Sequence, residues 1–133
     1  MDVHNVKTRS RNMAAIKSKN SKLELAVRRY IHNKGLRYSL HNPRLPGKPD
    51  LTFKKYSTVV FINSCFWHGH KNCKKSAIPK TNTDFWRDKL GKNVARDKSN
   101  TKLLEKQGWR VLVFWECRLD DKNLRGLYHL IIR

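Results

Sequence analysis

The sequence predicts a mixed α/β fold, in which one sheet is flanked by helices. Two short apolar segments, at 50–53 and 58–63, have the composition of strands. Helical periodicity follows over 83–107, and a further apolar strand is predicted at 109–115. Strands that are followed by a helical region and then by another strand are typical of such a sheet.

The first predicted helix begins at a capping box. Ser21 stands three residues before Glu24, so the serine hydroxyl can accept a hydrogen bond from the Glu24 amide. Gly35 is a typical residue at which such a helix ends. The apolar residues between them recur at helical spacing: Leu23, Val27, Tyr30 and Ile31.

The remaining elements follow from apolar runs and breakers. Prolines at 43–49 form a stiff turn that leads into the first strand. The run at 58–62 suits a buried central strand. Helices are predicted at 83–90, at 93–107 (ended by Gly108) and at 124–132, whereas 64–83 is irregular.

The charge of the chain indicates a polyanionic partner. Thirty Lys and Arg residues stand against 10 Asp and Glu among 133 residues, a formal charge of +20. Such a surface attracts nucleic acid by neutralising phosphates. The basic residues are not gathered on one amphipathic helix, which disfavours membrane binding. We expect residues 1–20 to form a basic DNA-contacting arm, with a short helix at 12–17, and residues 21–133 to form one domain.

The apolar content of the chain does not indicate membrane insertion or export. No apolar run approaches the ~20 residues of a membrane span. The segment that follows Met1 has no signal-peptide hydrophobic region. We therefore expect a cytoplasmic protein that is associated with the nucleoid through DNA.

Asp50 is an isolated carboxylate, since no other acid lies between Glu24 and Asp84. Surrounding cations favour its ionised form. It is either a structural ion-pair partner or the ligand of a divalent cation, and spacing alone does not decide between these interpretations.

Cysteine and histidine residues are concentrated after the second strand. Cys65, His70 and Cys73 have the short spacing of a turn that wraps a metal ion, and Cys117 is available to complete the set. Three thiolates and one imidazole suit a tetrahedral structural zinc site. Buried free thiols are the alternative, because free cysteine behaves as a small apolar residue.

Other side chains of this region leave several roles open. Three roles are open for His68: it is the fourth ligand of the metal ion in place of His70, or it is a surface residue, or it carries a proton in catalysis. Phe66, Trp67 and Trp86 either belong to the core or stack on and wedge between bases.

Several unusual motifs occur along nearly the whole chain: TRSRNM at 8–13, LPGKPD at 45–50, CFWH at 65–68, FW at 85–86, GKNV at 91–94, RD at 96–97, GWRV at 108–111 and WEC at 115–117. In these motifs and their order the chain resembles the very short patch repair (Vsr) mismatch endonucleases, which nick DNA at thymine–guanine mismatches.

The resemblance implies a restriction-endonuclease-like fold and a catalytic magnesium ion. It makes Asp50 the principal magnesium ligand, together with the backbone carbonyl of Ile62. His68 aligns with the catalytic histidine and Asp97 with the carboxylate that orients it. Glu24 aligns with a further acidic residue of the active site.

The resemblance also assigns a structural zinc site and a DNA-contacting set. The implied zinc ligands are Cys65, His70, Cys73 and Cys117. The implied partner is double-stranded DNA that contains a mismatch. By the same resemblance, Phe66, Trp67 and Trp86 intercalate beside the mismatch. Lys89 and Asn93 contact the mismatched pair, and Met13 approaches it from the minor groove.

One departure from the family pattern keeps other functions in view. Asn63 stands where relatives often have a histidine, and an amide cannot shuttle a proton. A mismatch- or structure-specific DNA-binding protein with impaired catalysis is therefore an alternative, as is a related endonuclease with another DNA target. We expect a monomer, and the residues leave open whether an accessory mismatch-repair protein takes part.

Overall fold

The computed structural model describes residues 21–133. The predicted arm at 1–20, its short helix at 12–17 and Met13 lie outside the described residues. The helices are α1 (Lys22–Asn33), α2 (Thr83–Lys106) and α3 (Asp121–Ile132), and the strands are β1 (Ser39–Leu40), β2 (Leu51–Phe53), β3 (Thr58–Asn63) and β4 (Arg110–Trp115). These elements confirm the predicted mixed α/β class.

The four strands form one sheet in the order β1-β2-β3-β4. β1 pairs with β2 and β2 with β3 in antiparallel fashion, whereas β3 and β4 are parallel and are connected through α2. The start of β2 therefore lies beside the carboxyl ends of β3 and β4. We call this end of the sheet the site end.

Alternation along the strands gives the sheet two buried faces. Val60 and Phe114 pack with α1 and α3 in one apolar cluster, which includes Ile31 and Ile131. Side chains of the opposite face, such as the buried Val59, point toward the side on which α2 contacts β4. The sheet thus has helices on both faces.

Local sequence explains how the helices begin. The Glu24 amide donates to the Ser21 hydroxyl at 3.2 Å, as the capping box predicts. Asp120 caps α3 in the same way by accepting from the Asn123 amide at 2.8 Å. Because of this cap, α3 begins at Asp121, before the predicted start at 124.

Two further features differ from the sequence predictions. α2 is one continuous helix where two were predicted, because Gly91 costs a helix only about 1 kcal/mol and the buried Leu90 and Asn93 anchor it on either side. β1 was not predicted, since two residues carry too little pattern to be recognised. Among residues 21–133, no helix has the length and apolar character needed to cross a membrane.

Candidate active site and two metal-binding clusters

Asp50 lies at the site end, immediately before β2. Its Oδ2 accepts a hydrogen bond of 2.6 Å from the backbone N–H of Ile62, in the part of β3 that extends past its pairing with β2. In a regular strand the N–H and C=O of one residue point to the same side. The Ile62 carbonyl therefore faces the same edge as the Asp50 carboxylate.

Burial makes the charge of Asp50 costly. Desolvation, with a smaller contribution from the neighbouring Glu24, raises the pKa of this carboxyl group from 3.8 to about 6. The Ile62 amide, His41 and His68 act in the opposite direction. A carboxylate that is desolvated and close to a second carboxylate is a typical place for a cation.

Glu24 and His41 complete a first cluster around Asp50, which we call the carboxylate cluster. Glu24 is almost fully buried at 3% exposure, and its carboxylate lies 3.3 Å from the guanidinium of Arg28. His41 Nε2 lies 3.0 Å from the Glu24 carboxylate and 3.7 Å from Asp50 Oδ1. The donor atoms of the three side chains lie within 4.8 Å of one another, a spacing that suits a metal ion.

His68 forms a hydrogen-bonded pair with Asp97 of α2. His68 Nδ1 lies 2.6 Å from Asp97 Oδ2, and both side chains remain partly exposed. The carboxylate therefore fixes the orientation of the imidazole ring and leaves its Nε2 available. An open cavity of about 490 Å³ lies beside this pair and is also lined by Asn63, Lys98 and Lys102.

Cys65, His70, Cys73 and Cys117 form a second cluster, which we call the Cys/His cluster. Their donor atoms lie within 4.8 Å of one another. His70 Nδ1 is 3.5 Å from Cys65 Sγ and 3.4 Å from Cys117 Sγ, close to the ~3.6 Å that separates nitrogen and sulfur ligands of a tetrahedral zinc ion. This cluster therefore has the donors and the spacing of a metal site, as predicted.

Burial and stacking hold the Cys/His cluster in place. Burial raises the pKa of the Cys65 thiol to about 12, and a bound cation reverses such a shift because it stabilises the thiolate. The His70 ring stacks on Trp115, with ring centroids 4.0 Å apart. Cys65 and His70 are thereby held beside the ends of β3 and β4.

One turn connects the Cys/His cluster with His68. The His70 amide donates to the Cys65 carbonyl at 3.0 Å, and His68 lies within this turn. Gly69 has a φ of +57°, and a Cβ there would approach Val94 Cγ2 to 2.8 Å. Because glycine permits this approach, His70 reaches the cysteines while His68 reaches Asp97 on α2.

The predicted intercalating rings lie together. Phe66, Trp67 and Trp86 contact one another edge to face, with centroids 5.2 to 5.7 Å apart, and all three are partly exposed. Phe85, which is 59% exposed, extends the group through Trp86. These rings form a surface cluster beside the His68 turn and do not belong to the main core.

The two residues predicted to touch the mismatched pair differ in environment. Lys89 is partly exposed on α2. Asn93 is 7% exposed, its Nδ2 donates to the Trp67 carbonyl at 2.9 Å, and its Oδ1 accepts from Arg96 at 2.6 Å. In this structure Asn93 fixes the aromatic turn, and its contact with DNA stays a prediction.

Sequence reasoning missed His41. Its position follows from the short strand β1, because the pairing of Leu40 with Leu51 puts His41 opposite Asp50. A signal was available, since Ser39 and Leu40 precede the proline turn in the way that the first strand of a hairpin does.

These features are typical of a nuclease: a carboxylate cluster, a carboxylate-bound histidine and exposed aromatic rings in a strongly basic chain. A family model described as DNA mismatch endonuclease Vsr matches residues 1–75. A type II nicking enzyme, V.NmeAIP of Neisseria meningitidis, is 48% identical over 92% of this chain and 87% of its own length. The DNA mismatch endonuclease Vsr of Escherichia coli is 42% identical over 92% of this chain and 78% of its own length.

A third relative, the type II nicking enzyme V.XorIIP of Xanthomonas oryzae, is 43% identical over 82% of this chain. The chain belongs to the Vsr family of DNA mismatch endonucleases. It is accordingly a DNA endonuclease.

Proposed function

We propose that the chain is a magnesium-dependent endonuclease that nicks one DNA strand beside a thymine–guanine mismatch in very short patch repair. The observation that carries the proposal is the meeting of two features at the site end. Asp50 accepts from the Ile62 amide, and His68 is held by Asp97. This pairing of a cation-binding carboxylate with an oriented histidine suits phosphodiester hydrolysis.

The donors around Asp50 fit magnesium. Asp50 and the Ile62 carbonyl offer oxygen ligands, with the buried Glu24 beside them. A bound magnesium ion would lower the pKa of a water and screen charge on the phosphate. Asp50 would hold the cation, and Glu24 would act beside it.

His68 would manage a proton near the scissile phosphate. Its Nδ1 is engaged by Asp97, so Nε2 faces the reaction with a defined orientation. Cleavage would leave a 3′-hydroxyl and a 5′-phosphate on the strand beside the mispaired thymine.

We also propose zinc as the ion of the Cys/His cluster and a restriction-endonuclease-like fold for the domain at 21–133. Three cysteines and one histidine favour zinc over harder cations. The mixed four-stranded sheet with helices on both faces agrees with this fold. The zinc would hold the turn that positions His68 and the aromatic rings.

The aromatic cluster would distinguish mismatched from matched DNA because a mismatched base step is easier to deform. Wedging rings between base pairs costs a few kcal/mol of unstacking, and a mismatched step resists less. Phe66, Trp67 and Trp86 would enter the duplex. Lys89 and Asn93 would face the mismatched pair, and the arm with Met13 would approach from the minor groove.

We propose that the enzyme acts as a monomer on nucleoid DNA.

The test is a nicking assay with magnesium on thymine–guanine and matched duplexes. Asp50→Ala is expected to lower the nicking rate by a factor on the order of 10³, since a catalytic metal supplies several kcal/mol. Asp121→Ala, the same change at an exposed position of α3, is the matched control. Equal nicking by wild type and Asp50→Ala would contradict the proposal.

A second candidate, a mismatch-binding protein with impaired catalysis, is favoured by one observation. Asn63, which replaces a histidine of the family pattern, lines the cavity beside His68 and Asp97. This candidate predicts tight binding to mismatched duplex and no magnesium-dependent product with any variant. Cleavage assays on a panel of other mismatches and of unmismatched duplexes distinguish these two candidates from an endonuclease with another DNA target.

A further inference from the structure

We propose that His41 supplies a nitrogen ligand to the divalent cation held by Glu24 and Asp50, so that the site that uses Mg²⁺ also accepts Mn²⁺ and binds it more tightly. This inference rests on the proposed function, because it names the metal preference of the same site. It adds a side chain to which neither the family motifs nor the sequence pattern assigned a role.

The distances in the carboxylate cluster fit one shared ion. Two ligands in neighbouring positions of an octahedral cation are about 3.0 Å apart, and opposite ligands are about 4.3 Å apart. His41 Nε2 lies 3.0 Å from Glu24 and 3.7 Å from Asp50 Oδ1, and all three donors fall within 4.8 Å. A cation can therefore be held with little movement of the chain.

The backbone directs the His41 ring into the cluster. The His41 amide donates to the Asp50 carbonyl at 3.2 Å and so extends the pairing of β1 with β2. His41 has a φ of +45°, in the left-handed region that few residues other than glycine adopt. The Glu24 carboxylate, 3.0 Å from His41 Nε2, is held in turn by Arg28. Nε2 thus lies near both carboxylates, and residues from three parts of the chain position it.

The donor set decides the metal preference. Oxygen ligands alone suit Mg²⁺, whereas an imidazole nitrogen favours transition-metal ions. Replacing His41 by glutamine puts an amide group at a similar reach and offers an oxygen ligand in place of the imidazole nitrogen. The substitution should therefore weaken Mn²⁺ binding more than Mg²⁺ binding.

The rival role for His41 is to orient Glu24 by a hydrogen bond without touching the ion. In that role glutamine can replace it, because the amide group also donates. Direct coordination differs in one measurable respect: a ligating imidazole couples its ¹⁴N nucleus to the unpaired electrons of Mn²⁺.

The experiment measures Mn²⁺ binding and pulsed electron paramagnetic resonance on the zinc-loaded protein without DNA. Wild type should bind Mn²⁺ with a ¹⁴N coupling. His41→Gln should lose that coupling and at least about tenfold in Mn²⁺ affinity, with a smaller loss for Mg²⁺. His129→Gln, at an exposed position of α3, is the matched control, and His68→Ala should keep the coupling.

Three results would overturn the inference: no bound Mn²⁺ in wild type, no ¹⁴N coupling in wild type, or a coupling that survives in His41→Gln. Thermal melts and zinc content of each variant identify any that fails to fold, and His41→Asn then replaces it. Nicking by Asp50→Ala tests the proposed function separately, so the two can fail independently.

Discussion

The two clusters at the site end differ in donor chemistry and in how the chain assembles them. The Cys/His cluster draws three of its four ligands from one segment, 65–73, and has four soft or borderline donors that close a tetrahedron. The carboxylate cluster draws its three donors from α1, from the residue after β1 and from the residue before β2. A closed set suits a structural ion, whereas an open oxygen-rich set leaves room for water and a phosphate.

The largest expected effect is removal of the ion from the Cys/His cluster. Structural zinc contributes ~10–16 kcal/mol in small zinc domains, so stripping it should lower the melting temperature by more than ~10 °C and abolish nicking. Thermal melts with metal analysis before and after chelation measure this. Omission of magnesium is the control, since it should abolish nicking with a melting shift below ~2 °C. Equal shifts in the two treatments would remove the distinction between the clusters.

The next effect concerns the histidine that the Cys/His turn positions. Asp97→Asn should lower the nicking rate by about 10²-fold, because an amide no longer stabilises a protonated His68. The affinity for mismatched duplex should be unchanged, which gel-shift titration can check. Asp88→Asn, at an exposed position of the same helix that pairs with Lys92, is the matched control. A normal rate in Asp97→Asn would separate His68 from the chemistry.

The same two clusters show what sequence can and cannot predict. The Cys/His cluster was predicted because its donors are rare residue types, three of them close in sequence, and the spatial cluster confirms their proximity. The capping box at Ser21 and the apolar strands were predicted for a similar reason, since local pattern alone specifies them. The sequence gives Glu24 two roles, one in the capping box of α1 and one in the active site, and in the structure its carboxylate lies 3.0 Å from His41.

What the sequence did not reveal depends on long-range pairing. His41 reaches Asp50 only because a two-residue strand aligns them, and so short a strand has no periodicity. The continuity of α2 through Gly91 likewise depends on tertiary contacts of its flanking residues, which override a weak local preference.

A smaller expected effect is the change in the free energy of unfolding when one ligand is replaced, which should have opposite signs in the two clusters. The folded pKa of Asp50, about 6, lies above its ordinary value of 3.8, so the folded state binds the proton more tightly than the unfolded chain. Stability therefore falls as pH rises toward 6, and the ionised carboxylate costs stability above it. Asp50→Asn should raise the free energy of unfolding of the magnesium-free protein by about 2 kcal/mol at pH 7.5.

Denaturant titrations at several pH values measure this gain. It should shrink as pH falls through about 6, whereas Asp121→Asn should show no such change. Replacement of Cys117 by serine should destabilise the protein at the same pH, because it removes a ligand from the closed cluster. A loss of stability in Asp50→Asn would mean that the carboxylate cluster is also built for folding.

The smallest effect compares the strands that lead to the two clusters. Thr52 of β2 is buried, and its hydroxyl has no hydrogen-bond partner among residues 21–133. Thr58 of β3 is equally buried, but its hydroxyl donates to the Tyr56 carbonyl and accepts from Arg110. Thr52→Val should therefore leave the free energy of unfolding unchanged or raise it by up to about 1 kcal/mol, whereas Thr58→Val should lower it by about 1–3 kcal/mol. Thermal and denaturant unfolding of the pair compare the two directly, and equal losses would mean that the Thr52 hydroxyl is satisfied after all.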